Sequence, residues 1–157
     1  MVSAAEVSLA LVRADVESTV PDRFEHVAGL VPDRPALSGD GRAWTFDTLN
    51  RDANRLAHAV LDRTGAGPGR IVCLLPASPD MVVATLGILK AGKTYTAIHP
   101  RTPVAGQSDL LRDVAPQLLL TTRALREAGE TAVAGACPVL VLDDLPPSLD
   151  STNRRRR

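Results

Sequence analysis

The chain has 157 residues, enough for a domain with a real hydrophobic core, and its acidic and basic side chains balance to zero formal charge. Hydrophobic residues make up 45% of the sequence but aromatic residues only 3%. The core is therefore built mainly of Leu, Val and Ala and offers few rings on which bases could stack. Because the only basic run is residues 154–157, no nucleic-acid partner is expected.

Nothing in the sequence directs the chain to a membrane or an oxidising compartment. Its first residues lack a basic stretch, and the apolar run 7–12 is too short for a signal or membrane segment. Cys73 and Cys137 lie in strand-like apolar runs without metal-ligand spacing. We therefore expect a cytoplasmic protein with two buried thiols, no metal site and no membrane partner.

The first half predicts an arm, a helix, a hairpin and a long helix. Residues 1–19 have weak patterning and are interpreted as an arm or linker. A helix is predicted over about 20–30, and short strands at 36–38 and 43–46 flank a glycine-containing turn, which is typical of a hairpin. Apolar residues then recur at helical intervals over 47–63, before a glycine that ends the helix.

The second half alternates strands with helices. The predicted elements are a strand at 70–75, a helix at 79–91, a strand at 94–98, a helix at about 104–114, a strand at 117–121, a helix at about 123–129 and a strand at 138–142. Strands that are apolar on both faces and joined by helices predict parallel crossover units, and hence an α/β fold with a parallel sheet flanked by helices.

The last predicted strand has no helix after it. Two prolines and a polar tail, residues 146–157, follow it and are interpreted as disordered and basic. A parallel sheet needs helices on both faces, so this strand is expected to leave an edge and a face exposed. We therefore expect a truncated part of a larger α/β structure, with a domain over 20–145 that is prone to self-association.

The central stretch, residues 87–94, allows two incompatible interpretations. Gly87, Gly92, Lys93 and Thr94 satisfy the phosphate-loop pattern G-x-x-x-x-G-K-[ST], and the run 139–143 is similar to the acidic strand that accompanies such loops. This is the alternative of a small nucleotide-binding protein of the phosphate-loop type. A phosphate loop, however, must end a strand and begin a helix whose amides point at the anion.

The local context favours the opposite order of elements. Ser78 is able to cap a helix, Pro79 suits the first helical position, and Asp80 suits the positive end of the dipole. The helix therefore comes before the glycine, and Pro100 and Pro103 prevent another from starting directly after Thr94. The order helix, glycine, strand is the reverse of what phosphate binding requires.

Few individual residues are candidates for ligand contact. Lys93 and Thr94 would bind a nucleotide only under the phosphate-loop interpretation. His99 follows a strand at the end where α/β sites lie, although a lone histidine is more often structural. Asp143 and Asp144 are interpreted as ending a strand and capping a turn. No residue is assigned a catalytic or metal-binding role.

Four segments, taken together, resemble the adenylate-forming (AMP-dependent acyl- and aminoacyl-activating) enzymes, and above all the adenylation domains of nonribosomal peptide synthetases. They are similar to the opening of such domains, to the first core motif with its following helix, to a glycine-rich turn entering a strand, and to the second core motif. In order these are residues 20–24 with 32–37, residues 44–57, residues 65–72, and residues 89–92 with Tyr95 and Pro100.

The resemblance implies the N-terminal portion of the large subdomain of these enzymes. The complete family uses ATP and magnesium to convert a carboxylic acid to an acyl-adenylate and then passes the acyl group to a thiol. The family's phosphate-binding loop, its adenine and ribose motifs and its lid have no counterpart here, while Ala97 and His99 replace the usual proline and aspartate. For this chain alone the resemblance therefore implies no cofactor, uncertain enzyme status, and a role in secondary metabolism as a split-enzyme part, an assembly partner or a remnant. The implied partner is a complementary adenylation-domain fragment or an assembly-line protein.

Overall fold

The computed structural model describes residues 17–149 together with Ser151 and Thr152. Most of the predicted arm, residues 1–19, and the final arginines of the predicted tail lie outside the described residues. Helix α1 spans Val20–Leu30 and begins with a capping box in which the hydroxyl of Thr19 and the carboxylate of Asp22 bond to one another's backbone amides.

A hairpin and a long helix follow, as predicted. Strands β1 (Pro35–Gly39) and β2 (Arg42–Thr45) pair antiparallel around a turn whose two central residues have positive φ. Helix α2 spans Phe46–Thr64 and starts with a second capping box, made by Thr45 and Thr48. It ends at Gly65, whose φ of 69° is easy for glycine and strained for other residues.

The remaining elements form the predicted parallel sheet. Its strands lie in the order β4-β3-β5-β6, so β3 is flanked on both sides. The elements are β3 (Arg70–Leu74), α3 (Pro79–Lys90), β4 (Thr94–Ile98), α4 (Val104–Val114), β5 (Leu118–Thr121), α5 (Arg126–Val133) and β6 (Val139–Val141), with short 3₁₀ turns at Arg123–Leu125 and Leu142–Asp144. The α/β class and the helix-to-strand order around Gly92 are confirmed.

The two faces of the sheet are covered differently. Helices α2 and α3 pack on one face against Ile71, Cys73 and Leu120, and the hairpin and α1 form a further layer outside those helices. Helices α4 and α5 cover the other face, where Leu111 and Val133 pack against the strands. Because side chains of a strand alternate between faces, each buried strand contributes to both cores.

The expectation that the last strand leaves a face of the sheet exposed is wrong. Leu140 and Val141 are buried, and Leu145 and Leu149 pack back onto the same core as α2. The side chain of Asn54 donates to the carbonyl oxygen of Ser151 at 2.8 Å, and the His58 ring bonds that of Thr152 at 3.1 Å. Leu145, Leu149, Ser151 and Thr152 therefore lie against α2 and its core, so packed contacts continue past residue 145.

Two local details also differ from expectation. Ser78 makes no capping hydrogen bond, and its Oγ is buried without a hydrogen-bond partner among the described residues. Helix α5 continues to Val133, beyond the predicted end near 129, and ends at Ala134, which has a left-handed conformation. Gly129 lies within this helix and faces β5, where an added Cβ would lie 3.0 Å from a methyl of Leu119. Glycine at this position allows the helix to lie close to the sheet.

A substitution at Gly87 tests the close packing of α2 on α3. A Cβ built at this position would lie 2.8 Å from Cβ and Cγ of Leu56, so the helices must separate to accept it. We expect Gly87→Ala to lower the free energy of unfolding by about 1–3 kcal/mol, as overpacked cores do. The matched control is Gly29→Ala in α1, where nothing lies within 4 Å.

The control should raise the free energy of unfolding by about 0.5 kcal/mol, since alanine restricts the unfolded chain and favours helix. Urea denaturation followed by circular dichroism measures both values. Equal effects at the two glycines would contradict the close helix contact.

Candidate functional site

The carboxyl ends of β3 and β5 mark the point where the sheet changes its winding direction. The connection from β3 leads to β4 on one side, whereas the connection from β5 leads to β6 on the other. Crevices at such points are the usual ligand sites of open α/β sheets. The buried hydroxyl of Thr121 donates to the Leu74 carbonyl at 2.9 Å and holds the two strand ends together.

A crevice of about 260 Å³ opens at this end of the sheet. The hairpin, α2, α3 and the segment after β6 all contribute to its walls, which combine charged, aromatic and aliphatic side chains. The lining residues are Arg42, Trp44, Asp52, Arg55, Asp80, Val83, Leu142, Asp143, Leu145 and Pro147.

Both arginines of the crevice pair with the same carboxylate. Asp52 Oδ2 accepts from Arg42 Nη2 at 3.1 Å and from Trp44 Nε1 at 2.9 Å, while its Oδ1 accepts from Arg55. The Arg42 guanidinium also lies 4.2 Å from the centre of the Trp44 ring, a cation–π contact. This network holds the hairpin against α2. Because both arginines are already paired with Asp52, neither is available for a ligand only.

Two further carboxylates make the crevice acidic. Partial burial raises the pKa of Asp80, and the nearby Asp143 carboxylate raises it further, while Arg42 acts in the opposite direction. Asp143 Oδ2 accepts from the backbone amide of Arg123 at 2.6 Å, so it caps the turn before α5 as predicted. Because three carboxylates face two guanidinium groups, the crevice is a poor fit for a triphosphate.

Lys93 is directed into the protein rather than towards a ligand. Its side chain is buried, and Nζ donates to the carbonyl oxygens of Gly65 and Gly67, both at 2.9 Å. The amide of Thr94 donates to the Gly69 carbonyl at 2.7 Å. Lys93 therefore ties the glycine-rich turn before β3 to the start of β4, and the stretch does not present the amide cradle of a phosphate loop.

The other two candidate residues lie away from the crevice. Thr94 is exposed at the start of β4, and His99 is exposed at its other end. His99 Nδ1 accepts from the backbone amide of Arg101 at 3.1 Å, within a turn that the buried Gln107 side chain holds by donating to the Thr102 carbonyl at 2.7 Å. The expectation that none of the three binds a cofactor stays a prediction.

Sequence reasoning missed the network around Asp52. The spacing of Asp52 and Arg55 signals an ion pair on one helix face, but the contact with Arg42 depends on how the hairpin lies on α2. Within residues 17–149, 151 and 152 there is no cluster of ligands suited to a metal ion. The same residues include no helix with both the length and the apolar character needed to cross a bilayer.

Comparison with known proteins gives a consistent family. Residues 24–156 match the family model described as AMP-binding enzyme. The chain is 36% identical over 138 residues to surfactin synthase subunit 1 of Bacillus subtilis (strain 168), an alignment covering 87% of this chain and 4% of that protein. It is 38% identical over 110 residues to novobiocin biosynthesis protein H of Streptomyces niveus, covering 68% and 18%. The chain thus spans a small part of either relative.

Solved structures agree with the fold. The AMPPNP-bound form of the nonribosomal peptide synthetase FmoA3 superimposes with a TM-score of 0.77 at 26% identity, over 85% of this chain and 14% of that one. The N-terminal subdomain of NpsA from Klebsiella oxytoca gives a TM-score of 0.73 at 20% identity, over 87% and 34%. The second comparison bears on the fold alone.

Calorimetry distinguishes a structural role of Lys93, in which it bonds the glycine-rich turn, from a role in phosphate binding. If its ammonium holds the glycine turn, the wild-type chain should give no heat of binding with magnesium-ATP, and Lys93→Met should lower the free energy of unfolding by about 1.5–3 kcal/mol, as expected for hydrogen bonds to a charged group. The control Thr94→Ala changes an exposed neighbour and should leave stability nearly unchanged. Micromolar ATP affinity lost in Lys93→Met would instead support a phosphate loop.

The raised pKa of Asp80 predicts a pH-dependent effect of Asp80→Asn. A carboxyl group whose pKa is raised in the folded state favours folding while it is protonated. This contribution is fully present below the ordinary pKa of 3.8 and is lost as the pH rises through the pKa of the folded state. The Tm of the variant minus that of the wild type should therefore become more positive between about pH 3 and pH 7. Thermal melts with Asp113→Asn as an exposed control measure this, and a falling difference would contradict the burial argument.

Proposed function

This chain belongs to the AMP-binding enzyme family. We propose that its sheet and the helix layers on both faces form part of the scaffold of an adenylation domain, and that other residues make the nucleotide site. In the complete family, a carboxylate attacks the α-phosphorus of ATP, pyrophosphate leaves, and an acyl-adenylate forms. A thiol then displaces AMP and takes up the acyl group. The proposal assigns neither step to residues 1–157.

The contacts of Lys93 carry this proposal. Lys93 is the lysine of the motif that fits a phosphate loop, and its ammonium is bonded to two carbonyls of a neighbouring turn. ATP would need preorganised donors around its phosphates. The buried Lys93 and the acidic crevice do not fit that requirement, so no step through ATP or magnesium is derived from these residues.

The partner that this proposal requires is the remainder of an adenylation domain. It is either joined to the same chain or supplied as a complementary fragment within an assembly-line synthetase. Relatives such as surfactin synthase subunit 1 are much longer than the matched region, which supports a role as one part of a larger enzyme. We propose that this role belongs to secondary metabolism in the cytoplasm.

A pyrophosphate-exchange assay tests the proposal. The purified 157-residue chain should show no exchange of labelled pyrophosphate into ATP above a mock preparation, with any amino or aryl acid, because on this proposal the groups that stabilise the transferring phosphate come from other residues. An intact adenylation domain from a relative serves as the positive control in the same assay. Acid-dependent exchange by the purified chain would overturn the proposal.

A further inference from the structure

The two edges of the parallel sheet are protected to different degrees. Within the residues that the structure describes, β4 forms one edge and β6 the other. Strand β6 has only three residues and runs into a turn that carries Asp143 and Asp144. A short strand with charges beside it is a poor template for a further strand. Strand β4 has five residues, none of which is charged or a proline, so its edge is the one suited to further pairing.

The hydrogen bonds to β3 fix which backbone groups of β4 face outward. The amide of Thr94 donates to the Gly69 carbonyl at 2.7 Å, so the backbone groups of Thr94 face β3. The register with β3 is unbroken over all five residues. Because backbone groups alternate from side to side along a strand, those of Thr96 also face β3, whereas those of Tyr95 and Ala97 face away.

The outward backbone groups are free to bond another strand. Among the described residues, the amides and carbonyls of Tyr95 and Ala97 have no hydrogen-bond partner. Ala97 is exposed and Tyr95 is half-buried, so water reaches this edge. Strand β4 therefore presents two donors and two acceptors in the spacing of a β-ladder, with no bulge that would turn them aside.

We infer that β4 pairs antiparallel with the β4 of a second copy of this chain. The two-fold axis passes beside Thr96, which lies opposite Thr96 of the second copy. Tyr95 of each copy then lies opposite Ala97 of the other, and each of these pairs exchanges two N–H···O bonds. All the outward groups of Tyr95 and Ala97 are used, and the two four-stranded sheets become one continuous sheet.

The side chains of β4 fit the same arrangement. Thr96 faces itself in a pair without backbone hydrogen bonds, where side chains lie closest and threonine pairs stabilise a sheet. Tyr95 and Ala97 share the face of the sheet that carries α2 and α3, where the Tyr95 ring packs on the core. The small Ala97 side chain leaves room for the tyrosine ring of the second copy. Because β4 carries no charge, two identical strands meet without repulsion.

This pairing goes beyond the proposed scaffold role and does not depend on it. It uses the edge of the sheet, and neither the crevice nor the contacts of Lys93 take part. A contact made by five residues of each copy is small for a protein interface, and small interfaces are weak. The dimer is therefore reversible and dissociates on dilution.

A proline at residue 97 tests the outward hydrogen bonds. Ala97→Pro removes an amide that β3 does not use, and proline is tolerated in an edge strand where its missing N–H would face water. Sedimentation equilibrium over a dilution series measures the dimer dissociation constant. We expect Ala97→Pro to raise this constant by about tenfold or more. The matched control is Ala97→Ser, which keeps the amide and a small side chain and should leave the constant nearly unchanged.

Opposite charges at residue 96 test the register. Because residue 96 faces itself across the two-fold axis, Thr96→Lys and Thr96→Glu should each weaken self-association, while an equimolar mixture of the two should restore it. Thermal melts establish that each variant is folded. A wild-type chain that is monomeric at every concentration, as when other polypeptide covers the edge, overturns the inference. Association that folded Ala97→Pro leaves unchanged, or that the mixture of folded variants does not restore, overturns it as well.

Discussion

The contact between Leu56 of α2 and Gly87 of α3 is the constraint on which much of the structure depends. Because α3 has no side chain at residue 87, the Leu56 side chain lies against its backbone, and the two helices cover one face of the sheet together. Helix α2 then supports three other features. It receives the hairpin through Asp52, holds Ser151 and Thr152 through Asn54 and His58, and forms one wall of the crevice.

Lys93 shows how a motif can keep its letters and change its chemistry. The residues of a phosphate loop are present, but the helix precedes the glycine, so the helical amides point away from the place where an anion would bind. The ammonium instead bonds two carbonyls of a turn 26 and 28 residues earlier in the chain. In an environment with little water, such charge-assisted bonds are strong and specific. The lysine therefore acts as a structural link.

Local patterns predicted the fold well because the signals are themselves local. Glycines and prolines at helix ends and apolar periodicity indicated nearly every helix and strand, and the order of elements argued against phosphate-loop geometry without any tertiary information. The candidate site was less predictable. The partners of Lys93 and Asp52, and the return of Leu145 and Leu149 onto the core, depend on which distant segments meet in space. The spacing of residues along the sequence does not predict those contacts.

The order of strands has a consequence for how the chain folds as it is synthesised. Strand β3 pairs first with β4, then β5 joins the free side of β3, and β6 joins β5. Each new strand therefore adds to an edge, and none must insert between two strands that are already paired. A sheet of this kind can grow outward from its oldest strand while the ribosome is still extending the chain, without any completed ladder of hydrogen bonds having to open.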